Sequence, residues 1–302
     1  MLRSYTSTKV GLTPRIREAL YLYRVHSQNV PGQVQQLLRR LRSIENDIRQ
    51  HAGKELKGLD VLEIGPGQMS KYLRYFAIGN NAMGIDLDVV SDEMSTSTLV
   101  NMLRVNGPMR TGKTIVRRAL GLDAEFAKEL CRQVGVPHLP IPRVLHMNAE
   151  AMTFDDATFD FVFSCSTYEH LSDPLAVIEQ VNRVLRPDGV AHIMLHLYTS
   201  DSGAHDPRIS AGRREDLPYW SHLRPQHFGK VRSNAYLNKR SLADWRNLFH
   251  SKLPDVWLRT VEDDNPNLRA ELARLKEAGE LRDYSEEELL TREIVAVWKR
   301  PS

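Results

Sequence analysis

From Gln33 to Gln50 the apolar residues Val34, Leu37, Leu38, Leu41, Ile44 and Ile48 recur every three or four positions, which predicts a helix with one buried stripe. Arg39, Arg40, Arg42 and Arg49 occupy the rest of its surface. A shorter stripe of the same period, Ile16, Ala19, Leu20 and Tyr23, follows Pro14, a residue suited to a helix's first turn. These two helices make an expected N-terminal cap over 1–55. From about residue 56 the rhythm changes to short apolar runs alternating with helical stripes. Leu59–Ile64, Ala82–Asp86, Arg143–Met147, Phe159–Cys165 and Val190–Tyr198 read as strands. Asp173 to Leu185 reads as a helix burying Leu175, Ile178, Val181, Val184 and Leu185, and Pro187-Asp188-Gly189 as the turn into the fifth strand. Ser241 is placed to cap a helix through Leu242, Trp245, Leu248 and Phe249. Val256–Val261 reads as a sixth strand, and Glu293–Lys299 as a final one at or near an edge. Strands joined by helices imply an α/β fold, a doubly wound and mostly parallel sheet with right-handed crossovers. Two stretches exceed what simple crossovers need: a helical insert over about 92–142, between strands 2 and 3, and a loop over about 199–235.

Composition narrows the class. The chain has 302 residues, 41 Lys and Arg against 38 Asp and Glu, and 41% hydrophobic residues, which is ordinary globular usage rather than disorder. The net charge of +3 does not by itself argue for nucleic acid. Two cysteines, Cys131 and Cys165, lie far apart in apolar context, as in a reducing compartment. No run approaches the ~18 apolar residues of a membrane span. Arg15, Arg17 and Arg24 interrupt any secretory core at the N-terminus. The expectation is a cytoplasmic protein, with peripheral membrane contact and oligomeric state left open.

The chemistry concentrates at Val61-Leu62-Glu63-Ile64-Gly65-Pro66-Gly67, with Asp86 ending the next strand. Glycines at a strand-to-helix turn let the backbone approach a ligand, and the helix that follows presents free N–H groups there. An acid at the tip of the second strand is placed to accept ribose hydroxyls. Dinucleotide sites favour G-x-G-x-x-G, and here the third glycine is replaced by Ser70. Glu63 would repel a pyrophosphate but attract a ligand carrying an ammonium and a sulfonium. The turn therefore reads as a site for S-adenosylmethionine rather than a nicotinamide dinucleotide.

In order along the chain come Gly-Ile-Asp at 84–86, Asn-Ala-Glu at 148–150, Phe-Asp at 159–160, Ser-Thr-Tyr-Glu-His at 166–170 and Val-Leu-Arg-Pro-Asp-Gly at 184–189. Together with 61–67 this series resembles the class I S-adenosylmethionine-dependent methyltransferases, in the broad group that includes ubiquinone/menaquinone-type enzymes. The resemblance implies a Rossmann-like catalytic domain over 56–302. It also implies that Glu63, Gly65 and Gly67 line the methionine moiety, that Asp86 holds the ribose, and that Asn148 and Ala149 flank the adenine. Ser164 to Ser166, Cys165 among them, would lie under the methionine. Met69 stands where the group often has a glycine, and Asn148 where it often has an aspartate.

The methyl acceptor is less legible. Arg104, Arg110, Lys113, Arg117 and Arg118 form a basic block in the insert, read either as a solvated helix face or as a lid for an anionic acceptor. The run Gly107 to Thr114 formally matches a phosphate-binding loop but lies inside a crossover, so it reads as a chance match. His196 and His205 are candidate bases for an acceptor hydroxyl, and His170 belongs to a Glu-His pair recurrent in the wider group. His192, lower on the same strand, reads as core. Asp201, Asp206, Arg213, Arg214, Trp220, His222 and Arg224 complete the loop's polar set. The spacing of His196, Asp201, His205 and Asp206 matches no metal motif, so no metal is expected. A large polar, anionic small-molecule or glycan acceptor is favoured, giving O-methylation of a saccharide or cell-surface glycan precursor. The alternatives are a quinone-like or lipid acceptor, RNA, or a non-catalytic binding protein keeping the fold. Nucleic acid is disfavoured because the insert has no stacking aromatic apart from Phe126.

Overall fold

A computed structural model of the chain describes residues 28–210, 214–215, 217–233 and 235–301. The expected first helix around Ile16–Tyr23 lies outside the described residues, as does Arg213. Seven strands pair in the order β3-β2-β1-β4-β5-β7-β6. They are β1 (Asp60–Ile64), β2 (Asn81–Asp86), β3 (Val144–His146), β4 (Phe159–Cys165), β5 (Leu185–His196), β6 (Trp257–Glu262) and β7 (Thr291–Lys299). β1 pairs in parallel with β2 and β4, and β2 with β3. The order reverses direction between β1 and β4, the point at which open α/β sheets bind ligands beyond their strand ends. The chain divides into two compact units.

One unit holds the described part of Tyr23–Cys165 together with Asp173–His192 and Val297–Ser302. Its first helix, α1 (Val30–Ala52), buries Val34, Leu37, Leu38, Leu41, Ile44 and Ile48, the stripe read from the sequence. Asn29 caps it by accepting the Gly32 N–H. Asp47, on the same face, meets the buried His192 on β5, its Oδ2 3.2 Å from Nε2. Helix α2 (Lys71–Phe76) packs on β4 through Phe76, which meets the stacked Phe161 and Phe163 rings edge-on. The insert forms three helices, α3 (Thr96–Val105), α4 (Gly107–Ala119) and α5 (Leu122–Val134). The Gln133 amide of α5 donates to the Pro31 carbonyl at the start of α1. Residues 107–114 are the first turns of α4, with Thr111 and Thr114 buried, so they form no phosphate loop.

Pro187-Asp188-Gly189 does not end a helix–strand turn as expected, because β5 runs through it. Asp188 adopts a positive φ of 61°, its N–H donates to the Arg300 carbonyl, and the Arg300 N–H donates to the Gly189 carbonyl. The segment is a bulge in a strand that follows α6 (Pro174–Val184) directly.

The other unit comprises Ser166–Ser172 and the described part of Ile193–Ala296. Leu197 N–H donates to the Arg292 carbonyl, which, with the pairing at Arg300, makes β7 antiparallel to β5. β7 lies one strand in from the edge, which is β6. After a short turn of helix, α7 (Pro207–Ser210), Ser241 and Asp244 form a reciprocal capping box on α8 (Leu242–Lys252). Trp245 on α8 is core, whereas Trp257 on β6 is only half-buried. The long loop carries its own apolar cluster. Trp220 and Leu223 bury against Leu268, Leu272 and Leu275 of α9 (Leu268–Glu277) and against Leu289 and Leu290, where α10 (Glu286–Leu290) meets β7.

Candidate functional site

In the first unit the glycine turn sits at the end of β1, at the reversal of strand order. Gly65 and Gly67 have φ of 75° and 63°, the left-handed region in which glycine pays no steric penalty. Gly65 N–H donates to the Ile85 carbonyl, tying the turn to β2. A Cβ on Gly67 would meet nothing within 4 Å, so the turn opens onto free space. Gly84 is different: a Cβ there would lie 2.9 Å from Pro66 Cγ and 3.0 Å from Leu73 Cδ2. Close approach of the turn and α2 to β2 therefore requires glycine at 84. Ser164 Oγ donates to the Ile64 carbonyl at 2.9 Å, joining the ends of β4 and β1.

Two buried polar atoms in this turn lack partners. Glu63 is 1% exposed, and its Oε2 makes no hydrogen bond. Burial lifts its carboxyl well above the usual range, the Leu73 N–H opposes that, and Asp86 adds to it. Gln68 Oε1 is likewise buried and unpaired, while its amide donates to the Val89 carbonyl. A buried carboxyl left half-satisfied is costly, and an ammonium is the group that would relieve it. These residues fit S-adenosylmethionine.

Asp86, at the end of β2, accepts the Gly67 N–H at 3.1 Å and the Asp88 N–H at 2.8 Å. Burial raises its carboxyl above the ordinary value despite those bonds. Asn148 Oδ1 accepts the Glu150 N–H at 3.0 Å and so caps the short turn at Ala149, which is buried. The oxygen expected to face the adenine thus has one lone pair engaged locally. Cys165 is buried at the end of β4, and Ser166 follows with φ of 55°. Tyr72 escaped the sequence reading. Its hydroxyl is raised by burial, with Cys165, Arg40 and Glu63 as electrostatic neighbours. A tyrosine in the first turn after the glycines was the available signal.

Three of the five basic residues of this block are answered by nearby acids. Arg110 pairs with Asp88, Arg117 with Asp123, and Arg118 with both Asp92 and Asp123. Arg104 and Lys113 are exposed on the helix surface. The block therefore resembles a braced helix face more than an open anion lid.

In the second unit, β5 and the loop after it bring histidines together. His205 Nε2 lies 3.0 Å from His196 Nδ1, and His196 Nε2 lies 2.9 Å from Ser202 Oγ and 3.2 Å from Ser200 Oγ. The single Ser200 proton goes to the Leu197 carbonyl, so Ser200 accepts from His196 Nε2 and His196 Nδ1 accepts from His205. Burial drives His205 down to about 4, and His170 and His222 push the same way. It is a neutral imidazole but a weak base. His170 Nδ1 lies 2.7 Å from the Tyr236 carbonyl. No side chain hydrogen-bonds to the carboxylate of the buried Glu169, and its Oε1 lies 4.0 Å from His205 Nε2. Burial raises its pKa to about 8, against the backbone N–H groups of Glu169 and His196, which pull it down. His222 Nε2 donates to the Tyr198 carbonyl. Asp201 and Asp206 belong elsewhere: Asp201 takes the Trp220 N–H and pairs with Arg214, and Asp206 pairs with Arg208 and takes the Arg232 N–H. Arg224 pairs with Glu280. No described helix is long and apolar enough to cross a membrane.

A family model described as a methyltransferase domain matches residues 109–193. An uncharacterized methyltransferase of Bacillus subtilis, YcgJ, is 24% identical over 139 residues, 44% of this chain and 47% of that protein. The chain thus matches about half the length of that curated relative. Among solved structures, a phosphoethanolamine N-methyltransferase of Haemonchus contortus in complex with S-adenosyl-L-methionine aligns at 16% identity and a TM-score of 0.43, covering 86% of this chain and 53% of that one. An S-adenosylmethionine-dependent methyltransferase of Mesorhizobium loti aligns at 14% identity and a TM-score of 0.40, covering 82% and 93%. The methyltransferase-domain match over residues 109–193, and the motif series with its open glycine turn, are the features this chain shares with the class I S-adenosylmethionine-dependent methyltransferases.

Proposed function

We propose that the protein binds S-adenosylmethionine and transfers its methyl group to a hydroxyl of a polar acceptor of the saccharide class. The observation that carries the cofactor half is the buried Glu63 carboxyl, with one oxygen unpartnered beside an open glycine turn. Glu63, Gly65 and Gly67 would hold the methionine end and Asp86 the ribose. Asn148, Ala149, Cys165 and Ser166 would form the remaining wall. When bound, the cofactor supplies a methyl already activated by a sulfonium, so positioning does much of the catalytic work.

An alcohol acceptor must also lose a proton. His196 is the favoured base, since Nδ1 is its accepting nitrogen and His205 is a weak one. His205 then acts as a positioning residue, and His170 stays a candidate through its place beside His205. The polar character of the 199–235 loop supports a hydroxyl-rich acceptor. Self-pairing of the insert's arginines speaks against RNA, whose phosphates need uncommitted cations.

The test is calorimetric titration with S-adenosylmethionine, followed by a labelled-methyl screen over nucleotide sugars, glycans, lipids and RNA. Saturable binding and label on a saccharide are expected. Absence of binding would reassign the chain to a fold-sharing binding protein, and label on lipid or RNA would replace the acceptor class.

A further inference from the structure

We propose that Glu169, His170 and His205 bind one divalent transition-metal ion of the zinc class. One ligand atom from each of the three lies within 4.8 Å of the others. All three belong to one compact unit, Glu169 and His170 on the segment after β4 and His205 on the loop after β5. Two imidazoles and one carboxylate with a remaining open position are the donor set of catalytic zinc and related sites.

Two independent observations point to a ligand. Glu169 is 2% exposed, and no side chain hydrogen-bonds to its carboxylate, which is offset only by the nearby backbone N–H groups of Glu169 and His196. A carboxylate enclosed with no side-chain partner is a standing cost, and a cation in the space it shares with His205 would relieve it. His170, in turn, is already set as metal-binding histidines are. Its Nδ1 lies 2.7 Å from the Tyr236 carbonyl, a contact that places the proton on Nδ1 and leaves Nε2 as the donor atom.

The arrangement also says what the ion would do to its neighbours. His205 Nε2 is the nitrogen facing both Glu169 and His196. Coordination through that atom would need the tautomer with the proton on His205 Nδ1, and would end the hydrogen bond to His196 Nδ1. His196 Nδ1 would then be available to accept a proton, and the ion would supply the charge that acidifies an alcohol or water oxygen. A hydroxyl-bearing ligand is the class an open position on such an ion takes. Catalytic use of the ion rests on the proposed methyl transfer, but its binding does not.

The experiment strips the 302-residue chain with a chelator and titrates it with Co²⁺, read by visible absorption, and with Zn²⁺, read by calorimetry. One equivalent of Co²⁺ is expected to bind with ligand-field bands that Zn²⁺ removes, and binding is expected to release protons. Glu169→Gln and His205→Ala should each weaken binding more than about 100-fold, beyond the 10–100-fold typical of losing an outer-shell partner. His51→Ala, on the exposed end of α1, should leave it unchanged. If Glu169→Gln fails to fold, His170→Ala carries the same expectation. No saturable binding by the wild type, or binding that survives in the Glu169→Gln/His205→Ala double variant, overturns the proposal. Calorimetry with S-adenosylmethionine on the same preparation separates the two readings: cofactor binding without metal binding sinks only the metal site, and metal binding without cofactor binding sinks only the methyltransferase reading.

Discussion

The Asp86 carboxylate accepts the backbone N–H of Gly67 at 3.1 Å, so the acid at the end of β2 holds the glycine turn at the end of β1. One residue thus shapes the turn and is the proposed ribose partner. Asp86→Ala should weaken S-adenosylmethionine binding by about 10- to 100-fold, the loss of roughly 1.5–3 kcal/mol of charge-assisted hydrogen bonding. Calorimetry on the folded variant checks it, and unchanged affinity would remove Asp86 from the site.

Gly84→Ala forces a methyl against Pro66 and Leu73. Overpacking of this kind costs about 1–3 kcal/mol, which urea unfolding would read directly. Because the displaced atoms belong to the turn and to α2, cofactor affinity should fall with stability. A variant as stable and as tight-binding as wild type would mean that the turn relaxes freely.

Asp47 and His192 tie α1 to β5 inside the core. Asp47→Ala strips the imidazole of this carboxylate and should cost about 1–3 kcal/mol in unfolding. Affinity for S-adenosylmethionine should not change, since neither residue is a proposed cofactor contact. A large affinity loss at unchanged stability would contradict that separation.

His222 is driven from its ordinary 6.5 down to about 4, chiefly by burial. Its native pKa lies below its unfolded one, so the unfolded chain takes up a proton that the native state refuses. The neutral ring's contribution is fully present above about pH 6.5 and is lost as pH falls toward 4. The loss amounts to about 1.4 kcal/mol for each unit of the shift. His222→Gln should flatten this part of the stability profile, measured by urea unfolding at a series of pH values. An unaltered acid limb would assign the loss to other groups.

Once an acceptor is known, His196→Ala should lower turnover about 10²–10⁴-fold with cofactor affinity intact, as expected of a general base. His205→Ala should shift the pH dependence of turnover as well as its size, because it works through His196. Unchanged turnover in the first variant would return His196 to a structural role.

Much of the first unit was legible because its signals are local. β1, β4 and α6 are short periodic segments, and the glycines, Glu63 and Asp86 lie where strand ends and turn chemistry put them. Pro187-Asp188-Gly189 misled because a tight turn and a bulge both tolerate a positive φ at the same residue. Pairing with Arg300, far along the chain, decided between them. Long-range packing also hid the role of Trp220, whose partners on α9 carry only a helical leucine stripe. In the histidine loop the acids nearest in sequence, Asp201 and Asp206, turned out to brace arginines and backbone. The carboxyl that faces His205 is Glu169, from a different strand end.

The insert has a consequence for how such a chain can change over time. It leaves the sheet after Asp86 and returns at Val144, and Asp86 pairs directly with His146. Its two ends are therefore anchored on neighbouring strands. The entropy of closing such an excursion grows only with the logarithm of its length, about 0.6 kcal/mol per doubling. Arg110, Arg117 and Arg118 are answered by acids within it or just before it, so much of the charge on α4 is balanced close by. A lineage could lengthen, shorten or exchange the insert while the strand register on either side, and with it the Asp86–Gly67 clasp, stays in place.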